Sequence, residues 1–263
     1  PPKIAHEELC IKCGICIAAC PGRALSHSAL DLAEFARLDG EPPIDAEAFT
    51  RCLVSRRSVR AYKNKPVPRE LLEKIARVAG FSPGSAHGGE NWTRTVSIVD
   101  GEANMKRVRD LTAKYMRKNA ALLGGFFMGL FAKVNEEVRG GREMLGDMRM
   151  RVREHDEGRD AIVYGAPAAI FVHAPRGMPV PTAHCDAALM AMLLTAHAHG
   201  LGTCWNGYIA KAASGFKMRS FRELRELLDI PDHHDVFAAA TVGYPAVSLH
   251  DLPHRETFIR WVD

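Results

Sequence analysis

The sequence predicts an α+β fold in which a small cysteine-rich module precedes a large mixed domain. Three observations predict it. Four of the seven cysteines fall between Cys10 and Cys20, and the other three are scattered. Along the rest of the chain the apolar period switches between the three-to-four of a helix and the alternating or continuous pattern of a strand. One long segment, Asp186–His199, is apolar on nearly every side, as expected of a helix enclosed by a core. A length of 263 residues suits one large domain plus a module, and 47% apolar residues suffice for a substantial core.

The elements follow in order. Residues 1–28 form the module, 29–48 a linker, and 49–263 the large domain, with the change of pattern starting at Asp45. In the linker, "SALDLAEF" carries a short helix pattern that Gly40-Glu41-Pro42-Pro43 ends. "DAEAFTRCLVSRRSV" has Asp45 as N-cap and a helical period. "VPRELLEKIARVAGFS" is amphipathic, with Leu71, Leu72, Ile75 and Val78 inward. "TRTVSIVD" alternates as a strand, and residues 103–160 are rich in Arg, Lys, Glu and Met and read as helices. "AIVYGAPAAIFVHA" is a buried strand with a Gly-Ala-Pro entry. The enclosed helix ends at Gly200, a C-cap. "FRELRELLDIPD" is a helix stopped before Pro231, and "VFAAATVGYP" is a strand running into a turn. "NAALLGGFFMGLFAKV", Asn119–Val134, is too short and glycine-broken for a membrane helix, which needs ~20 apolar residues. It reads as a core helix or a cover over a pocket.

The cysteine run "CIKCGICIAACP" has iron–sulfur spacing. In C-x2-C-x2-C a tight loop lets three thiolates converge, and Gly14 relieves crowding near the inorganic core. Zinc sites instead split their ligands into pairs across a longer loop. Cys10, Cys13 and Cys16 hold one [4Fe–4S] cluster on this reading. The next cysteine before a proline, Cys20, normally serves a neighbouring cluster. Three answers stand for the missing ligands. A first run lies upstream of Pro1 and the native protein has two clusters, which is the favoured expectation; Cys52 supplies a remote ligand; or Cys20 closes a single cluster.

Composition excludes several classes. A net charge of +4 is too mild to imply nucleic acid. Clustered cysteines in a chain of this size favour a metal site in a reducing compartment over a disulfide scaffold. No basic stretch followed by an apolar one opens the sequence, so a cytoplasmic location is expected.

"SRRSVRAY", Ser55–Tyr62, packs three arginines and Ser58 just past a helix, a composition suited to phosphate oxygens. Taken with "RRSVRAYKNKPVPRELLEKIARVAGFSPGS", "GAPAAIFVHA", "DAALMAMLLTAHAHGLGTCWNGYI" and "VGYP" in that order, the chain resembles the nitroreductase family of FMN-dependent oxidoreductases. It is similar to the branch with an N-terminal ferredoxin module. The resemblance spans about residues 50–260 plus the module, which looks like the second half of a two-cluster ferredoxin domain. It implies an α/β sandwich forming an intertwined homodimer with FMN at the interface. It implies that Arg56, Arg57, Ser58 and Arg60 bind the FMN phosphate, and that Arg255 in "LPHRETFIRW" adds a further cation. It implies that the backbone at Asn206 and Gly207 approaches the flavin near N5. One stretch departs from the family. Where Asn and then Gln-Pro-Trp are usual, this chain has "AHGGENW", with His87 or Gly88 at the Asn position and Glu90 at the Gln position.

The expected function is an FMN-dependent reductase fed through its own iron–sulfur module. Single electrons enter by the cluster, and hydride leaves flavin N5 without a side-chain acid. The acceptor is an electron-poor small molecule such as a nitroaromatic, a quinone or an activated alkene. The donor is ferredoxin or another reduced carrier. The alternative is an electron-carrier or docking subunit whose flavin relays electrons to a partner protein. Cys52, Cys185 and Cys204 read as packing cysteines. His197 and His199 lie on different helix faces and are no metal pair. His233-His234 reads as a solvated turn, and the basic residues between Lys106 and Arg153 as a helix surface.

Overall fold

The structure, a computed structural model, describes residues 10, 12–35, 38, 44–84, 94–214, 222–251 and 256–262. The module is built on left-handed backbone. Lys12 and Gly14 have φ of 54° and 73° and lead into α1 (Ile15–Ala18), and Arg23 has φ 48°. Gly14 is needed twice over. Its φ favours glycine, and a Cβ there would lie 2.9 Å from the Phe35 ring. The neighbour that crowds it is therefore an aromatic side chain from the segment that follows the module. His27 pairs with Leu30 across a tight turn. The helix pattern in "SALDLAEF" forms only a three-residue 3-10 turn, Leu32–Glu34, capped by Asp31. The linker stretch Gly40–Pro43 lies outside the described residues.

The large domain opens with α2 (Ala46–Ser55), whose Asp45 cap accepts the Ala48 N–H at 2.8 Å. Then come α3 (Arg69–Arg77), β1 (Thr95–Asp100), α4 (Glu102–Gly124), α5 (Phe126–Phe131), α6 (Glu136–Glu143), α7 (Leu145–Asp156) and β2 (Ala168–Pro175). They are followed by α8 (Pro181–Ala198), β3 (Gly202–Trp205), α9 (Gly207–Ser214), α10 (Arg222–Leu227) and β4 (His234–Gly243). The four strands form one antiparallel sheet in the order β1-β2-β4-β3.

Strand alternation divides the core into two layers. Ala169 and Phe171 of β2 face one side, with Val236 and Ala239 of β4, and pack on α4, α7, α9 and α10. Ile170 and Val172 face the other, where Leu72 and Ile75 of α3 and Leu189, Met192 and Leu193 of α8 cover them. Leu71 and Val78 are half-buried at the edge of that layer. Helix α8 is enclosed as its composition predicts. It starts at Pro181, earlier than the apolar run, and Gly200 at φ 75° lets the chain turn back so that the Leu201 N–H reaches the Ala196 carbonyl at 2.9 Å.

Two expectations are corrected. Asn119–Val134 is not a core helix. The chain is extended at Gly125, between α4 and α5, and Phe126 and Phe127 stand 82% exposed. His233-His234 is not a solvated turn. His233 is exposed, but His234 begins β4, is 7% exposed, and meets His173 Nδ1 with its own Nδ1 at 2.8 Å. Helical spacing could not show this, because the pairing is made across the sheet. Among the described residues no helix is long and apolar enough to cross a membrane.

Candidate functional site

The basic stretch leaves α2 and runs alongside β3. Arg56 is the first residue past the helix, Ser58 bridges Thr203 in parallel, and the Val59 N–H donates to the Thr203 carbonyl at 2.9 Å. Gly202 permits this approach, since a Cβ there would lie 2.7 Å from Val59. At the other end of the stretch Tyr62 reaches Thr241 Oγ1 at 2.9 Å, and Gly243 accommodates both Tyr62 and Pro167. Val59 and Tyr62 thus anchor the strand-like segment. Arg56 and Arg57 are half-buried, and Ser58 and Arg60 are exposed. Two polar atoms here have no partner among the described residues, although both are buried: Arg56 Nε and Thr203 Oγ1. A buried guanidinium N–H without an acceptor is costly. A bound anion would supply one.

Asn206 and Gly207 stand at the end of β3. Asn206 is buried and its side chain is committed to the fold. Nδ2 donates to the Ile162 carbonyl at 2.7 Å, and Oδ1 accepts the N–H groups of Tyr208 at 3.1 Å and Ile209 at 3.3 Å, capping α9. What this position offers a ligand is backbone. Gly207 is exposed, and a Cβ built on it meets nothing within 4 Å. Arg255, His87, Gly88 and Glu90 lie outside the described residues.

The structure adds residues that sequence reasoning missed. Asp147 of α7 accepts from Arg151 Nε at 2.7 Å and from the Tyr208 hydroxyl at 2.5 Å. Arg151 also donates to the Tyr164 hydroxyl at 2.7 Å and lies over the Tyr164 and Tyr208 rings. Burial works against the Asp147 carboxylate, but the bonds from Arg151 and Tyr208, with the field of Arg60, hold its pKa below the ordinary value. Cys204 of β3 faces the same basic group. Burial pushes its thiol up, opposed by Arg60, a bond with Ser58, and then Arg151 and Arg56. Only the i, i+4 spacing of Asp147 and Arg151 was visible in the sequence. Tyr208 reaches them from a distant part of the chain.

The four cysteines of the module carry free thiols, three exposed and Cys20 half-buried. Cys20 Sγ accepts the Ala24 N–H at 3.3 Å, which, with lesser bonds from neighbouring amides, lowers its pKa. Among the described residues no three His, Cys, Asp or Glu side chains converge as ligands of a single metal ion. A four-iron cluster does not require that convergence, because each cysteine binds a separate iron.

Residues 53–244 match the family described as Nitroreductase family, and residues 4–26 match the 4Fe-4S binding domain. Nitroreductase NfnB of Mycolicibacterium smegmatis is 25% identical over 197 residues, covering 71% of this chain and 82% of that protein. Iodotyrosine deiodinase of Nematostella vectensis is 48% identical over 80 residues, but these cover only 26% of this chain and 30% of that protein. The solved structure of a nitroreductase with bound FMN from Bacteroides fragilis aligns with a TM-score of 0.59 at 20% identity, covering 82% of this chain and 98% of that one. At that identity the likeness shows the fold alone.

Proposed function

We propose a function from one premise, that the chain belongs to the nitroreductase family and carries a match to a 4Fe-4S binding domain near its N-terminus. The chain is an FMN-dependent oxidoreductase that takes electrons through its iron–sulfur module and passes them to an electron-poor small molecule. The single observation that carries this reading is the buried, unpartnered Nε of Arg56 beside β3.

FMN, when bound, supplies hydride chemistry at N5 and converts between one- and two-electron steps. The residues do the rest. Arg56, Arg57, Ser58 and Arg60 hold the phosphate by charge-assisted hydrogen bonds, and Arg255 adds a further cation. The Asn206 cap fixes the start of α9, so the Gly207 backbone presents an amide that helix geometry leaves unpaired. The Asp147–Arg151–Tyr208 bonds brace that same helix start from α7. Cys10, Cys13 and Cys16 bind an iron–sulfur cluster, and Cys20 binds that cluster or a neighbouring one. The active form is a homodimer. In support, Phe258, Ile259, Trp261 and Val262 are each at least 74% exposed, more apolar surface than a monomer usually leaves open.

The test is anaerobic preparation of the protein, with flavin and iron analysis and light scattering. A substrate screen with reduced ferredoxin, NADH and NADPH follows. It includes nitroaromatics, quinones and activated alkenes, and an iodotyrosine because of the 80-residue match. Expected are retained FMN, bound iron, about twice the chain mass, and turnover of at least one electron-poor acceptor. A protein that retains no flavin contradicts the reading. Retained flavin with electron transfer to a partner protein and to no small molecule favours the carrier alternative.

A further inference from the structure

We infer that His27 is a positioning residue for the iron–sulfur centre: its Nε2 donates a hydrogen bond to the Cys10 sulfur and raises the centre's reduction potential. This rests on the reading of Cys10 as a cluster ligand.

The geometry defines the direction of the bond. His27 Nε2 lies 3.6 Å from Cys10 Sγ. On the other side of the ring, the Ala29 N–H donates to His27 Nδ1 at 2.9 Å. A backbone amide can only donate, so Nδ1 must be the accepting nitrogen. In a neutral imidazole with one accepting nitrogen, the proton sits on the other. The Ala29 amide therefore places the hydrogen on Nε2 and aims it at sulfur. The tautomer is held by the fold, because the tight turn that pairs His27 with Leu30 also sets the Ala29 amide.

The effect on a cluster follows from charge. A thiolate bound to iron accepts hydrogen bonds, and such bonds are one of the levers that set the potential of iron–sulfur centres. Reduction adds one electron and puts more negative charge on the sulfurs. A donor fixed at sulfur therefore favours the reduced form. No bond to iron forms or breaks. Cys20 has a comparable donor, the Ala24 amide, but that one belongs to the backbone. His27 supplies its donor from a side chain, so a substitution can remove it.

The test uses the full chain, prepared anaerobically. The reduced centre is followed by electron paramagnetic resonance during titration with dithionite in the presence of redox mediators. In His27→Ala the midpoint moves to more negative potential, by roughly a threefold change in the reduced-to-oxidised ratio. That is about 28 mV for a one-electron couple, at 59 mV per decade. His27→Gln keeps an N–H donor, and its midpoint returns part of the way to the wild-type value. An unchanged midpoint in His27→Ala at full iron content overturns the inference and leaves the module reading intact. Loss of iron in both variants makes His27 an assembly residue and also overturns it. A wild-type chain that binds no iron overturns the module reading, and this inference with it.

Discussion

The module and the large domain are held together in different ways. Among the described residues of the module, Ile17 is the only apolar side chain fully buried. Three of these few residues, Lys12, Gly14 and Arg23, adopt left-handed backbone, and the cysteine thiols are largely exposed. The large domain has two apolar layers and a central strand, β2, buried along its whole length. A segment with so little apolar burial cannot offset its own ordering entropy. The module's shape is therefore expected to depend on a bound iron–sulfur centre, whereas the large domain folds around its own core.

Removing the metal should separate the two regions most visibly. Treating the protein with an iron chelator is expected to make the first ~35 residues fully sensitive to protease, by the coupling of metal binding to folding. The remainder should stay resistant and keep its flavin. Resistance across the whole chain after iron loss would show that the module folds without its centre.

A core truncation should act the other way. Phe171→Ala removes a fully buried ring from β2 and should cost about 3–5 kcal/mol in denaturant unfolding. If the variant still folds, its iron content should match the wild type.

Arg56→Ala should weaken FMN binding by roughly tenfold or more, the effect of one charge-assisted hydrogen bond at ~1.5–3 kcal/mol. Flavin retained after dialysis measures it. Unchanged retention would place the phosphate elsewhere.

The smallest effect is set by the histidine pair. Burial, and then the nearby His234 and Arg225, push the His173 pKa down to about 4. Ser97 and His234 are its hydrogen-bond partners. A depressed histidine binds fewer protons folded than unfolded. Its stability contribution is therefore complete above the unfolded pKa of ~6.5 and declines as pH falls towards 4. The apoprotein should be roughly 1–2 kcal/mol less stable at pH 5 than at pH 7.5, and His173→Gln should flatten that slope. Urea titrations at the two pH values decide it.

Much of the large domain was legible in the sequence. Helix α8 and strand β2 are apolar almost throughout, and the α2 cap at Asp45 and the turn at Gly200 are local signals. The basic stretch Arg56–Arg60 was readable as a cluster of residue types. What was not readable depends on contacts between distant segments. The sequence did not show that Ser58 runs beside Thr203, that Tyr208 closes onto Asp147, or that His234 meets His173. The four-residue strand β3 was missed because it is short and alternates too little to register as a period. The role of Asn206 was half readable. The sequence shows its place next to Gly207, but only the structure shows its side chain spent on capping α9.

On the proposed function, electrons reach the flavin through the module. A comparison of Cys13→Ser with the wild type under anaerobic conditions, following flavin bleaching after mixing with reduced ferredoxin and, separately, with dithionite, decides whether they do. The variant is expected to keep normal FMN content and normal reduction by dithionite, with reduction by ferredoxin abolished. Flavin reduction by ferredoxin at the wild-type rate in Cys13→Ser would contradict it.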